Sequence, residues 1–98
     1  MRFVILHTPG DTWQFGVDYR EQTGVMDHVK HYQQFHAEGK LALGGPFLLA
    51  DLGGMMITIP DLSVEEVEAF AAADPAVKAG LLRYEVVAWH TPFEADHP

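Results

Sequence analysis

Val25-Met26-Asp27-His28-Val29-Lys30-His31-Tyr32-Gln33-Gln34-Phe35-His36-Ala37-Glu38-Gly39 is the stretch where the hydrophobic period of the chain changes. Val25, Val29, Tyr32 and His36 recur at i, i+4, i+7 and i+11, with His28 and Phe35 beside them. Lys30, Gln33, Gln34 and Glu38 take the outer side. This pattern predicts an amphipathic helix, and Gly39 supplies the residue after its end, where a positive φ is cheap only for glycine. Upstream, residues 3–7 form a β-branched and aromatic run stopped by Thr8-Pro9-Gly10, which reads as a strand. Downstream, residues 41–47 read as a second strand, broken or bulged at Gly44-Gly45. Asp51-Leu52-Gly53-Gly54 is turn chemistry leading into a third strand, residues 55–59, ended by Pro60.

A second helix opens at Leu62-Ser63-Val64-Glu65-Glu66-Val67. Ser63 is its cap, Glu66 completes a capping box, and Leu62 is placed to staple against Val67. It runs to about residue 73. Asp74-Pro75 offers a fresh N-cap with proline at N1, opening a short turn that Gly80 closes. Residues 83–89 are the fourth strand, and residues 91–98, including His97, form a surface tail after a domain spanning 1–90. The order β-α-β-β-α-β predicts an α+β, ferredoxin-like fold with a four-stranded antiparallel sheet and helices on one face. A face open to water should be polar. Here Val4, Leu6, Val87 and Trp89 oppose Phe3, Ile5, Val86 and Ala88, so both faces are apolar. A second copy of the chain is the economical cover, giving a homodimer through the open sheet face.

Ninety-eight residues make one domain with a modest core. A formal charge of −8, with Arg2, Arg20, Lys30, Lys40, Lys78 and Arg83 scattered, argues against nucleic acid as a partner. The absence of Cys excludes disulfides, thiolate nucleophiles and Cys-based metal sites. No stretch is long and apolar enough to cross a bilayer, and no signal peptide is evident, so no membrane partner and a cytoplasmic location are expected. Residues 11–24 are polar and irregular but carry Trp13, Phe15 and Tyr19, which suggests a loop folded over something.

Two separated residues invite pairing. His28 lies early in the first helix, on the side facing the sheet, and Asp74 stands at the later helix junction. A carboxylate that accepts from one imidazole nitrogen sets the tautomer and leaves the other nitrogen free as a general base. The bland alternative is that Asp74 only caps and His28 is a satisfied buried histidine. Asp27, His28 and His31 lack the spacing of a metal motif, so no metal and no cofactor are expected. His31 reads as a flank residue and His36 as a structural one near the helix C-terminus; His7 and His90, on neighbouring strands, could each face a pocket. Gly44, Gly45 and Pro46 either bring backbone amides close to a ligand or make a bulge. Trp13, Phe15 and Tyr19 either close over a pocket as an aromatic lid or anchor their loop.

On His28, on Gly39 followed by a strand ending in Gly45-Pro46, and on Ala73-Asp74-Pro75 with Gly80, the chain resembles the YCII-related (YciI-like) family over nearly its whole length. The resemblance implies a dimeric α+β barrel and places the family's His–Asp dyad on His28 and Asp74. It also implies a small-molecule ligand, for which the residues themselves nominate His7, Trp13, Tyr19, Arg20, Gly45 and Pro46 as contacts. One protein type of this kind is a dehydrochlorinase of a chlorinated hydroxyhydroquinone, and related muconolactone isomerases also act on ring-derived acids. A cofactor-free lyase or isomerase is therefore the function implied. Alternatives are a non-catalytic small-molecule binder or accessory module using the same pocket, and a cofactor-independent oxygenase. In one respect the chain departs from the family: where relatives often carry a basic residue just ahead of the pocket histidine, it has Val25 and Met26, and Arg20 is the nearest cation.

Overall fold

Alternation along β1 (Arg2–Pro9) sets the layers. Phe3, Ile5 and His7 are buried on one face, while Val4 and Leu6 lie half-buried on the other. In a computed structural model that describes residues 1–95, β1 is followed by α1 (Val25–Ala37), β2 (Leu41–Pro46), β3 (Gly54–Thr58), α2 (Val64–Ala72), α3 (Pro75–Lys78) and β4 (Leu82–Trp89). The long connection after β1 carries a single 3-10 turn, Tyr19–Glu21. The four strands form one antiparallel sheet in the order β2-β3-β1-β4. This is the expected ferredoxin-like arrangement. The His97 expectation lies outside the described residues.

The helices cover the Phe3–Ile5 face. Phe3, Ile5, Tyr32, Phe35, Met56, Val67 and Ala71 form the main core. Phe70 of α2 stacks on Phe35 at 4.0 Å and on His31 at 3.9 Å, which locks the two helices together. Burial of an aromatic side chain of this kind contributes roughly 1.5–3 kcal/mol. His31 Nε2–H also donates to the Phe70 carbonyl at 2.7 Å, so this histidine belongs to the helix interface. Gly39, at φ +77, ends α1 as its sequence position requires.

Three local expectations are corrected. The irregularity in β2 falls between Leu41 and Leu43, whereas Gly44 and Gly45 pair in register with Met56 and Met55. Gly44 lies close against β3, where a Cβ would require the Met56 side chain to move aside. Ser63 does cap α2, accepting from the Glu66 amide at 3.1 Å, but the Glu66 carboxylate pairs with Lys40 at 2.7 Å. A cation at the end of α1 thus takes the carboxylate that a capping box would have used. Finally, His90 lies at the far end of the β1–β4 pair from His7, because antiparallel register sets Arg2 opposite Trp89 and His7 opposite Tyr84.

The other sheet face carries an apolar row across all four strands, Leu43–Ile57–Val4–Val87. Val87 and Trp89 are exposed on it, with Arg2, Arg83 and Glu85 as its charged members. Beyond β4, Glu94 accepts from Arg2 Nε at 2.6 Å and Phe93 is exposed. No described helix is long and apolar enough to cross a membrane.

Candidate active site

The site begins with the way the long connection is tied down. Gly10 and Thr12 donate their amides to the carbonyls of Leu81 and Gly80, and the indole of Trp13 donates to Asp51 Oδ1 at 2.9 Å. Asp51 also accepts from the Gly16 amide, so one carboxylate on the β2–β3 loop holds two points of the connection. Buried Gln22 completes the fastening: its carboxamide accepts from the Gln14 amide and donates to the Gln14 and Val17 carbonyls. These bonds satisfy polar groups that the loop would otherwise bury unpaired. At the start of β3, Gly53 takes φ +93, and any Cβ there would run into the His7 carbonyl.

Between this connection, the inner face of α1 and the β2 edge lies a cavity of about 500 Å³. Its apolar wall includes Val25, Val29, Leu41, Leu43 and Met56, and Trp13 and Tyr19 close one side. Gly45 and Pro46 form part of the floor, and a Cβ on Gly45 would meet only open space. The polar side chains on the wall are His7, His28, Tyr32, Gln33 and His36, to which Tyr19 adds a second phenol and Trp13 its indole.

His28 sits in the first turn of α1. Its Nδ1–H donates to Asp74 Oδ2 at 2.5 Å, while Asp74 Oδ1 accepts from the Ala76 amide at 2.9 Å and caps α3. One carboxylate therefore both caps α3 and accepts from His28. Asp74 is fully buried. Burial alone would push its pKa up, but the His28 hydrogen bond and charge and the Ala76 amide outweigh it and hold the carboxyl below its ordinary value. The carboxylate stands behind His28, off the cavity wall, leaving Nε2 as the ring nitrogen available to the cavity.

A second pair abuts the first. His7 Nδ1–H donates to the Arg83 carbonyl at 3.1 Å, and the Tyr32 hydroxyl donates to His7 Nε2 at 2.7 Å. Burial, and next the neighbouring His28, lower the His7 pKa to about 4, so the ring is neutral at pH 7. Burial and the Asp74 charge push the Tyr32 hydroxyl well above its ordinary value. The three rings meet edge to face, with His7–His28 centroids 4.9 Å apart and His28–Tyr32 centroids 5.2 Å apart.

His7, His28 and Asp74 are also the described residues whose ligating atoms cluster most like a metal site, all within 4.8 Å. The short His28–Asp74 bond and the Tyr32–His7 bond already engage atoms that an ion would need, so metal binding would compete with both pairs.

Of the expected ligand contacts, His7, Trp13, Tyr19, Gly45 and Pro46 line the cavity beside His28. Arg20 does not: it pairs with Asp18 at 3.1 Å, lies over the Tyr19 ring and borders an adjoining hollow. Phe15 is 70% exposed and off the wall, so the aromatic side consists of Trp13 and Tyr19. Sequence reasoning missed Tyr32, Gln33 and His36 as wall residues and Asp51 as the loop's anchor. Tyr32 was within reach, since it lies one helical turn after His28 on the same stripe. Asp51 had no comparable signal; its partner Trp13 is 38 residues away.

Fold and site together describe a small α+β protein with a histidine–carboxylate pair at the end of an apolar cavity. The family model for the YCII-related domain matches residues 1–90, and the chain belongs to that family. Among solved structures, 5-chloro-2-hydroxyhydroquinone dehydrochlorinase from Burkholderia phenoliruptrix, in complex with 2,5-dihydroxybenzoquinone, is similar at 26% identity. The likeness covers 92% of this chain and 94% of that one, with a TM-score of 0.66. Comparison with curated proteins returns no significant match.

Proposed function

We propose that the chain is a cofactor-free lyase or isomerase in which His28 Nε2 removes a proton from a small, ring-derived substrate and Asp74 orients and stabilises the imidazole. The observation that carries this reading is the 2.5 Å His28–Asp74 hydrogen bond at the wall of a cavity of about 500 Å³. A cavity of that volume accommodates a substituted six-membered ring, within the roughly 300–1,000 Å³ usual for ligand sites. With Nδ1–H committed to the carboxylate, Nε2 carries the lone pair. The imidazolium formed on proton transfer is paired at once with a buried negative charge. In a dehydrochlorination, the ring takes a proton at its chlorine-bearing carbon as the keto tautomer. His28 Nε2 then removes a proton, the electrons of that broken bond form a new π bond, chloride leaves with the C–Cl pair, and the net loss is HCl. In an isomerisation, the imidazolium returns its proton to a different carbon. The similar dehydrochlorinase favours the first course. We further propose that a second copy covers the apolar row of the open sheet face, completing a dimeric barrel.

The test is an anaerobic assay of 5-chloro-2-hydroxyhydroquinone in D₂O, reading chloride release and ring-proton exchange by NMR. The protein should accelerate one of the two. His28→Ala and Asp74→Asn should each lower that rate by about 10²–10⁴-fold, the usual contribution of a positioned base. Undiminished turnover in His28→Ala would overturn the assignment. A ligand bound and recovered unchanged, without exchange, would favour the non-catalytic binder.

A further inference from the structure

The hydrogen-bond polarity of the cavity's inner end restricts what can bind there, and the restriction follows from tautomers. The Arg83 carbonyl can only accept, so the neutral His7 ring carries its proton on Nδ1 and presents a bare Nε2. Tyr32 must then be the donor in the 2.7 Å bond to that nitrogen. Its single proton is spent inside the protein, and its oxygen retains only lone pairs. By the same logic His28, donating from Nδ1 to Asp74, retains a bare Nε2. Both side chains line the cavity, with rings 5.2 Å apart. The inner end therefore offers two acceptors. No Lys, Arg, Asp or Glu stands on the described wall, and the nearest cation in the adjoining hollow, Arg20, is occupied by Asp18.

We infer that Tyr32, with its proton held by His7, is a specificity-determining residue that accepts a hydrogen bond from the substrate, so that the site selects uncharged rings bearing two adjacent hydroxyls and rejects their carboxylate counterparts. One hydroxyl donates to His28 Nε2 and is the one poised to lose its proton; the other donates to Tyr32 Oη and sets the ring's orientation. A carboxylate brings only acceptors to an acceptor pair. It would also carry its charge into an apolar cavity, with buried Asp74 behind His28 and no partner cation. This inference rests on the proposed role of His28 and narrows the substrate class from ring-derived acids to neutral polyhydroxylated rings.

Binding can be measured without turnover, by NMR titration of the intact protein with three probes of similar size: catechol, 1,2-dimethoxybenzene and benzoate. Catechol should bind at least about tenfold more tightly than either of the others, since a site built around hydrogen-bond partners discriminates against analogues that lack them. Tyr32→Phe should erase most of catechol's advantage while leaving phenol, with one hydroxyl, little changed. If Tyr32→Phe does not fold, the three-probe series on the unaltered protein still decides the question. Equal binding of catechol and dimethoxybenzene, preferential binding of benzoate, or no catechol binding at millimolar concentration would each overturn the inference. Proton exchange in His28→Ala reports separately on the base: catechol selectivity with undiminished exchange in that variant would remove the base and leave the selectivity standing.

Discussion

Asp74 divides its carboxylate between two partners: Oδ2 accepts from His28 Nδ1 at 2.5 Å, and Oδ1 accepts from the Ala76 amide at 2.9 Å. The same side chain thus starts α3 and orients the candidate base. A capping aspartate is ordinarily free to turn; this one is held from both sides and fully buried. Its two tasks can be separated by substitution.

Asparagine caps helices about as well as aspartate, so Asp74→Asn should keep α3 while removing the charge that pairs with the imidazolium. Its cost in stability should be below about 1 kcal/mol while turnover falls steeply. Asp74→Ala loses the cap and strands the His28 donor, and should cost about 2–4 kcal/mol in total. Urea melts of the two variants, run beside the activity assay, measure both effects. Equal destabilisation by Asn and Ala would mean that the cap is not what the carboxylate supplies to the fold.

Acid should weaken the fold through His7. The folded ring takes up its proton near pH 4, against 6.5 for an unperturbed histidine. Between those values the unfolded chain holds the extra proton, so stability is complete above about 6.5 and is lost as pH falls toward 4. A shift of that size corresponds to roughly 3 kcal/mol. Asp74, with its pKa lowered, acts in the same sense at still lower pH: its contribution is present above the ordinary carboxylate range and disappears as pH falls through its folded value. Denaturant melts from pH 7.5 to 4 should show the slope, and His7→Gln should flatten the part between 6.5 and 4. A slope of unchanged steepness in His7→Gln would assign the effect to another group.

Asp51 should prove to be the hinge pin of the cavity's outer wall. It accepts from both Trp13 and Gly16 and sits at φ +61, a conformation asparagine tolerates and alanine does not. Asp51→Asn should therefore stay within about 0.5 kcal/mol of the parent, whereas Asp51→Ala should lose about 1–3 kcal/mol. Near-ultraviolet circular dichroism should report freer tryptophan packing in the alanine variant. An unaltered spectrum and melt for Asp51→Ala would show that Gln22 and the backbone bonds of Gly10 and Thr12 suffice to hold the connection.

If a second copy covers the open sheet face, Val87 lies within the contact. It ends the row Leu43–Ile57–Val4–Val87 and is 39% exposed in the single chain. Val87→Asp would force a carboxylate into that contact without a partner and should give a monomer by light scattering at micromolar concentration, where the parent gives a dimer. A monomeric parent would remove the dimer and leave the apolar row to another partner.

Much of the architecture was legible because it is written in local periods. The helical stripe of Val25, Val29, Tyr32 and His36, the cap at Ser63 and the Asp74-Pro75 junction each require only neighbouring residues to interpret. Where reading failed, a distant partner had intervened. Lys40 drew Glu66 out of a capping box, Met56 lies close against Gly44, and the edge register moved the irregularity of β2 to Leu41–Leu43. The site divides in the same way. His28 and Asp74 could be nominated because each stands at a helix start, whereas His7 in a strand and Tyr32 within a helix carry no such local mark and meet only when α1 packs on β1.

By itself, then, the amino-acid order determined the elements, the apolar sheet faces and which residues could do acid–base chemistry, because each depends on side-chain type at short spacing. Tertiary structure alone decided that Asp74 accepts from both His28 and the Ala76 amide, that His7 stays neutral, and that Tyr32 turns its proton inward. Those properties come from burial and from hydrogen bonds between segments that meet only when the sheet and helices close over them.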